Sequence, residues 1–140
     1  MNRKQFFVID TNVLVSAVLF KNSKARQALN KAQNIGKVLM SSSLLLEVED
    51  VLFRPKFDKY VTQFERRFFL SNFLKTVKFV EVREIINICR DPKDNKILAL
   101  AVDGKVESII IGDQDLLILN VFENVKIMKI QEFIDLDKEN

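Results

Sequence analysis

The sequence predicts an α/β fold, a central parallel sheet of about five strands flanked by helices, in one domain spanning residues 1–140. Two patterns carry this reading. Short apolar runs rich in β-branched residues, Phe6–Ile9, Val38–Met40, Val106–Ile111 and Val125–Met128, have the character of strands buried on both faces. Between them lie segments whose apolar residues recur at helical spacing, and strands that alternate with helices pair in parallel through right-handed crossovers. A chain of this length buries roughly two thirds of the surface its unfolded form exposes, so one core suffices.

In chain order, Phe6-Phe7-Val8-Ile9 runs straight into Asp10-Thr11-Asn12, which places a carboxylate and two small polar groups at the carboxyl end of the first strand. Ligands bind at that end in open α/β sheets. Val13–Leu19 is too apolar for a surface loop and reads as a buried helix start or a second hydrophobic segment. Asn22-Ser23 offers an N-cap for a helix over 24–33, with Ala25, Ala28, Leu29 and Ala32 inward and Gly36 ending it. After the strand Val38–Met40, Ser41-Ser42-Ser43 supplies capping hydroxyls for a helix over 44–53 that Pro55 stops. Its apolar arc is Leu44, Leu45, Val48, Val51 and Leu52. Glu47 and Glu49 flank the two edges of that arc, and periodicity does not choose between them.

Thr62-Gln63-Phe64-Glu65 has the form of a capping box and opens a helix to about residue 75. Phe64, Phe68, Leu70, Phe73 and Leu74 are its expected buried positions, with Arg66 and Arg67 outward. Val77–Val82 alternates as a third strand. In Arg90-Asp91-Pro92-Lys93-Asp94, Pro92 imposes an extended or turn geometry on Asp91. Asp94 then heads a helix over 95–102, closed by Asp103-Gly104. Val106–Ile111 is a fourth strand, ending in Gly112-Asp113-Gln114-Asp115. Val125–Met128 is a fifth, and 130–136 a short closing helix. No repeat, linker or low-complexity tract interrupts the pattern.

The composition narrows the chemistry. The chain contains no histidine, which removes His-dependent triads, His general acid/base pairs and most zinc hydrolase sites together. Its one cysteine, Cys89, cannot form an intramolecular disulfide, so a reducing compartment, the cytoplasm, is expected. No stretch approaches the roughly 20 apolar residues of a membrane span, and the basic N-terminus lacks the features of a signal peptide. The formal charge of +3 is too mild to prove nucleic-acid binding. Arg54, Lys56, Lys59, Arg66, Arg67, Lys93 and Lys96 read as a solvated basic face or, alternatively, as an RNA track.

Two apolar strands end in aspartates, Asp10 and Asp113, and Asp94 begins a helix whose core-facing side includes Leu98 and Ala101. Parallel topology brings such termini to one edge of the sheet. Carboxylates gathered there would repel one another, or rise in pKa, unless a cation sat among them. Ligation by oxygen alone favours Mg²⁺ or Mn²⁺. Each acid also has a plain structural reading: Asp10 and Asp94 as helix-terminal groups, Glu47 as a boundary residue, Asp113-Gln114-Asp115 as a solvated turn.

Four blocks in order, Asp10-Thr11-Asn12-Val13-Leu14-Val15-Ser16-Ala17, the Leu-Leu-Glu47 helix followed by Val51-Leu52-Phe53-Arg54-Pro55-Lys56-Phe57, Arg90-Asp91-Pro92-Lys93-Asp94-Asn95-Lys96, and Gly112-Asp113-Gln114-Asp115-Leu116-Leu117, together resemble a PIN-domain ribonuclease of the toxin–antitoxin branch. The resemblance runs from Phe6 to Phe133. It implies a three-layer fold and a metal-dependent endoribonuclease. By position the family's four acids correspond to Asp10, Glu47, Asp94 and Asp113, which selects Glu47 over Glu49. Asp115 corresponds to an additional acid, and Asn12 to the polar residue that supports the first aspartate. Ile111 departs from the pattern, since relatives often carry Ser or Thr there.

On this reading the four acids hold one or two Mg²⁺ or Mn²⁺ ions, which lower the pKa of water for attack on the scissile phosphorus without a side-chain base. Single-stranded RNA is the expected substrate, because A-form duplex hides its deep groove. An antitoxin protein and a second copy of the chain are the protein partners the family implies. Two rival readings remain at this level. One is a PIN-like protein that captures RNA or a partner without cutting it. The other is an aspartate-based phosphohydrolase of the haloacid-dehalogenase type, which requires a second aspartate where Asn12 stands.

Overall fold

A computed structural model of the chain describes residues 5–83, 86, 92–112, 121–122 and 124–136, with 92–94 and 121–122 described by their backbone. The elements are β1 (Gln5–Ile9), α1 (Thr11–Leu19), α2 (Lys24–Ile35), β2 (Gly36–Met40), α3 (Ser42–Leu52), a 3₁₀ turn (Pro55–Phe57), α4 (Gln63–Leu74), β3 (Lys78–Phe79), α5 (Pro92–Gly104), β4 (Ser108–Ile111), β5 (Val121–Phe122), β6 (Val125–Lys129) and α6 (Ile130–Asp135). The strands form one sheet in the order β3-β2-β1-β4-β6-β5. β1 sits at its centre, pairing in parallel with β2 (Phe7 opposite Val38) and with β4 (Phe7 opposite Ser108). Successive β1 residues Phe7, Val8 and Ile9 are all buried, so both faces of the sheet are covered. The result is the parallel α/β sheet expected from the pattern of strands and helices, in the three-layer arrangement that the family resemblance implies.

Local chemistry explains most boundaries. Ser23, Ser41 and Thr62 cap α2, α3 and α4, each side-chain oxygen accepting from the backbone N–H three residues on at 3.1 Å. The Thr62 hydroxyl also donates to Glu65 Oε1 at 3.0 Å, a side-chain bond at the head of α4. The Val13–Leu19 stretch is helical and almost wholly buried, which explains why it lacks the alternation of a surface helix. At the end of α5 the left-handed conformation falls on Lys105 (φ 52°), not on Gly104. Gly104 serves space instead: a Cβ there would lie 2.2 Å from Leu39 Cδ1.

Several expectations need correction. The third strand is two residues long, not six, because β3 is the sheet's outer strand and has only β2 to pair with; Val80 N–H still donates to Met40 O at 2.9 Å. The antiparallel β5 was not anticipated from the sequence. α5 begins at Pro92, two residues before Asp94, since proline's fixed φ and missing N–H suit the first helical position. The largest correction concerns α4. Arg66, expected outside, is fully buried, while Phe64 and Phe68, expected inside, are 79% and 62% exposed. Arg66 Nη1 donates to Leu52 O at 2.9 Å and to Arg54 O at 3.4 Å, its Nε donates to Thr62 O at 3.4 Å, and Nη2 pairs with Asp58. Those acceptors fix the rotation of α4, with Leu70 and Phe73 following Arg66 inward and the two phenylalanines turned out. Phe20 and Phe79 are also substantially exposed, so the phenylalanines are not uniformly core. Cys89 lies outside the described residues.

Candidate active site

The central strand delivers Asp10 to the sheet's carboxyl edge. Its backbone N–H donates to Ile110 O at 3.0 Å, extending the β1–β4 ladder by one bond, and its carbonyl accepts from Leu14 N–H at 3.0 Å, starting α1. Asp10 is thus both the last ladder residue and the N-cap of a helix. Its carboxylate, 5% exposed, accepts from Asn12 N–H at 3.1 Å and more weakly from Gly112 N–H at 3.5 Å. The structural reading of Asp10 as a cap is therefore correct as far as it goes, and it leaves a buried carboxylate at the edge where ligands bind.

Glu47 reaches the same place from α3, which packs beside α1. The hydroxyl of Thr11, itself 3% exposed, donates to Glu47 Oε2. Because Thr11 adjoins Asp10 in the chain, this bond ties the second acid to the first. Glu49 lies two residues, about 200° of helical turn, further round α3. The contact supplies a geometric distinction between the two glutamates that helical periodicity could not. Thr11 is a site residue that sequence reasoning passed over. The available signal was a hydroxyl directly after the strand-terminal acid, at the first position of an apolar helix.

The remaining expected residues divide between the described and the undescribed. Asp94 stands in the first turn of α5. α5 precedes β4, which runs parallel to β1, so the start of α5 lies toward the carboxyl edge and its end toward the amino edge, where Gly104 neighbours Phe6 and Glu107. Asp113 and Asp115 lie outside the described residues. Gly112, whose N–H points to Asp10, is the residue immediately before Asp113. Asn12 contributes its backbone N–H, and its side chain is exposed. Ile111 is 1% exposed and packed in the core, so no hydroxyl is offered at that position.

Among the described residues no group of three or more acidic, His or Cys side chains occurs. The two carboxylates that are described, Asp10 and Glu47, offer hard oxygen donors, and the chain has no imidazole to compete with them. A donor set of this chemistry fits Mg²⁺ or Mn²⁺ rather than zinc. Among the described residues, no helix is long and apolar enough to cross a membrane.

Comparison with known proteins bears on the family and the fold. The family profile of the PIN domain matches residues 7–115, which takes in every expected site residue. An uncharacterized protein of Methanocaldococcus jannaschii is 33% identical over 114 residues, covering 80% of this chain and 73% of that one. Among solved structures, VapBC2 from Rickettsia felis, bound to a DNA fragment from their promoter, shares the fold with a TM-score of 0.61 over 89% of this chain and 98% of that one, at 13% identity. With its profile matched over most of its length, the chain belongs to the PIN-domain family, whose members are generally nucleases.

Proposed function

We propose that the protein is a metal-dependent endoribonuclease that hydrolyses phosphodiester bonds in single-stranded RNA, as the toxin of a toxin–antitoxin pair. The observation that carries the reading is the bond from Thr11 to Glu47 beside the buried Asp10, which brings two acids from separate elements to the ligand-binding edge of the sheet. Asp10, Glu47, Asp94 and Asp113 would hold one or two Mg²⁺ or Mn²⁺ ions, with Asp115 in support. When bound, the ions supply acidification of water and neutralisation of charge on the phosphate. The protein's own part is positional. The amides of Asn12 and Gly112 hold the Asp10 carboxylate in place, and Thr11, next to Asp10 in the chain, holds Glu47. A nuclease of this kind needs no side-chain base, which agrees with a chain lacking histidine.

The toxin role rests on the four sequence blocks and on the fold shared with VapBC2. An antitoxin protein and a second copy of the chain are the corresponding partners, and the cytoplasm the corresponding compartment. The test is cleavage of an unstructured RNA with Mn²⁺, comparing wild type with Asp10→Asn on preparations matched by circular dichroism. Cleavage by wild type alone supports the reading. Equal cleavage by both removes Asp10 from the mechanism, and RNA binding without cleavage by wild type returns the protein to a binding role.

A further inference from the structure

The exposed face of α4 is unusual for a surface helix. Phe64, Arg67, Phe68, Ser71 and Lys75 fall at i, i+3, i+4, i+7 and i+11, a single stripe along the helix and its C-cap, and all five are exposed. Phe64 and Phe68 hold their rings nearly parallel, 14° apart in plane with centroids 6.4 Å apart. Arg67 extends the aromatic surface, its guanidinium 4.7 Å from the centre of the Phe53 ring. No acid interrupts the stripe, since Glu65 lies to one side and is engaged with Thr62.

We propose that this stripe is a base-stacking platform for single-stranded RNA, an inference that rests on the ribonuclease reading above and extends it to the strand beside the cut. Two features favour a nucleic acid over a protein partner. A docked protein helix would want the apolar stripe to continue, yet beyond Phe68 it turns to Ser71 and Lys75. Aromatic faces alternating with cations are the combination that takes bases by stacking and phosphates by charge. From Phe64 to Lys75 is about 16 Å of helix, room for a short run of nucleotides of a single strand. The helix that carries the platform packs against α1, which Asp10 caps. Arg66, on the opposite, buried face of α4, donates to Leu52 O at 2.9 Å at the end of α3, the helix that carries Glu47.

The experiment is fluorescence-anisotropy binding in EDTA, so that cleavage plays no part, using labelled oligouridylate of about twelve nucleotides and an abasic strand of equal length. Phe64→Ala/Phe68→Ala should weaken oligouridylate binding at least about tenfold and leave the abasic strand unaffected. Arg67→Ala and Lys75→Ala should weaken both strands and each lower the salt slope by about one. All four side chains are exposed, and unchanged melting temperatures will show that the fold is kept. The proposal is overturned if the double variant binds oligouridylate as wild type does, or if wild type binds the abasic strand as tightly as the base-bearing one. It is also overturned if sedimentation shows a wild-type dimer that the double variant dissociates, because the stripe is then a contact between copies. Failure of the nuclease reading is seen separately, as absence of cleavage with Mn²⁺ while the EDTA binding data still decide the platform.

Discussion

Two charged side chains among the described residues are buried in contrasting ways. Arg66, fully buried, is surrounded by three backbone carbonyls from Leu52, Arg54 and Thr62 and by the Asp58 carboxylate, acceptors from three consecutive stretches of chain. Asp10, 5% exposed, has among its partners the backbone N–H groups of Asn12 and, at greater length, Gly112, and it stands where β1 ends and α1 begins. A buried guanidinium so densely bonded is a clasp: it holds the end of α3, the 3₁₀ turn and α4 together and has little left to offer a ligand. The Asp10 carboxylate is instead held by backbone amides at the carboxyl edge of the sheet, and its chain neighbour Thr11 donates to a second carboxylate, Glu47. Burial of charge alone therefore does not distinguish the two residues; the kind of partners around each does.

Substitutions at the two charges should separate activity from stability, and the largest effect is expected at Asp10. Asp10→Asn should reduce Mn²⁺-dependent RNA cleavage at least about a thousandfold, about 4 kcal/mol in transition-state terms. The melting temperature should hardly move, because Asn caps a helix about as well as Asp. A variant that cut RNA normally would place Asp10 with Arg66 as a purely structural charge. Arg66→Ala should do the reverse. The Leu52 carbonyl is left buried without its donor, at a cost of about 1–3 kcal/mol, a fall of several degrees in melting temperature, with cleavage per folded molecule retained. Loss of cleavage at full stability would make Arg66 part of the site.

Asp94 tests whether the edge binds metal as a unit. A ligand that binds only the native state at a hundred times its Kd stabilises it by about 2.7 kcal/mol. Wild type should accordingly melt higher with Mn²⁺, and Asp94→Asn should lose most of that rise together with cleavage. An unchanged rise would leave Asp94 as a helix-terminal acid only. Thr11→Val removes the hydroxyl while keeping the shape. The expected loss is about 1 kcal/mol of stability, since only one partner of a part-buried hydrogen bond is removed. Cleavage should fall further than that stability change explains. Full activity would show that Glu47 does not need Thr11.

The smallest effect concerns acid. The hydrogen bond from Arg66 holds the Asp58 carboxyl below its ordinary value of 3.8. A carboxyl whose pKa is lowered by folding contributes stability above its unfolded pKa and loses it as pH falls through the folded one. Asp58→Asn should therefore be less stable than wild type above pH about 4, with the gap closing as the pH is lowered. A gap that stayed constant would show that Asp58 acts on Arg66 by shape and not by charge.

Much of this could be read from the chain alone. Phe6–Ile9 running into Asp10 specifies a central strand and what stands at its end, because a strand buried on both faces must be apolar throughout and the break in apolarity marks its edge. Ser23, Ser41 and Thr62 specify where helices start, because capping is local chemistry. The family's acid pattern singles out Glu47. Tertiary structure alone decided three things. It turned α4, since Phe64, Phe68, Leu70 and Phe73 are equally apolar in sequence and the choice of inner face was made by carbonyls of α3 and the following turn that accept Arg66. It cut β3 to two residues, since strand length depends on a neighbour to pair with. It also joined Thr11 to Glu47 across 36 positions of sequence, a contact between side chains that no periodicity encodes because it exists only once α1 and α3 are packed side by side.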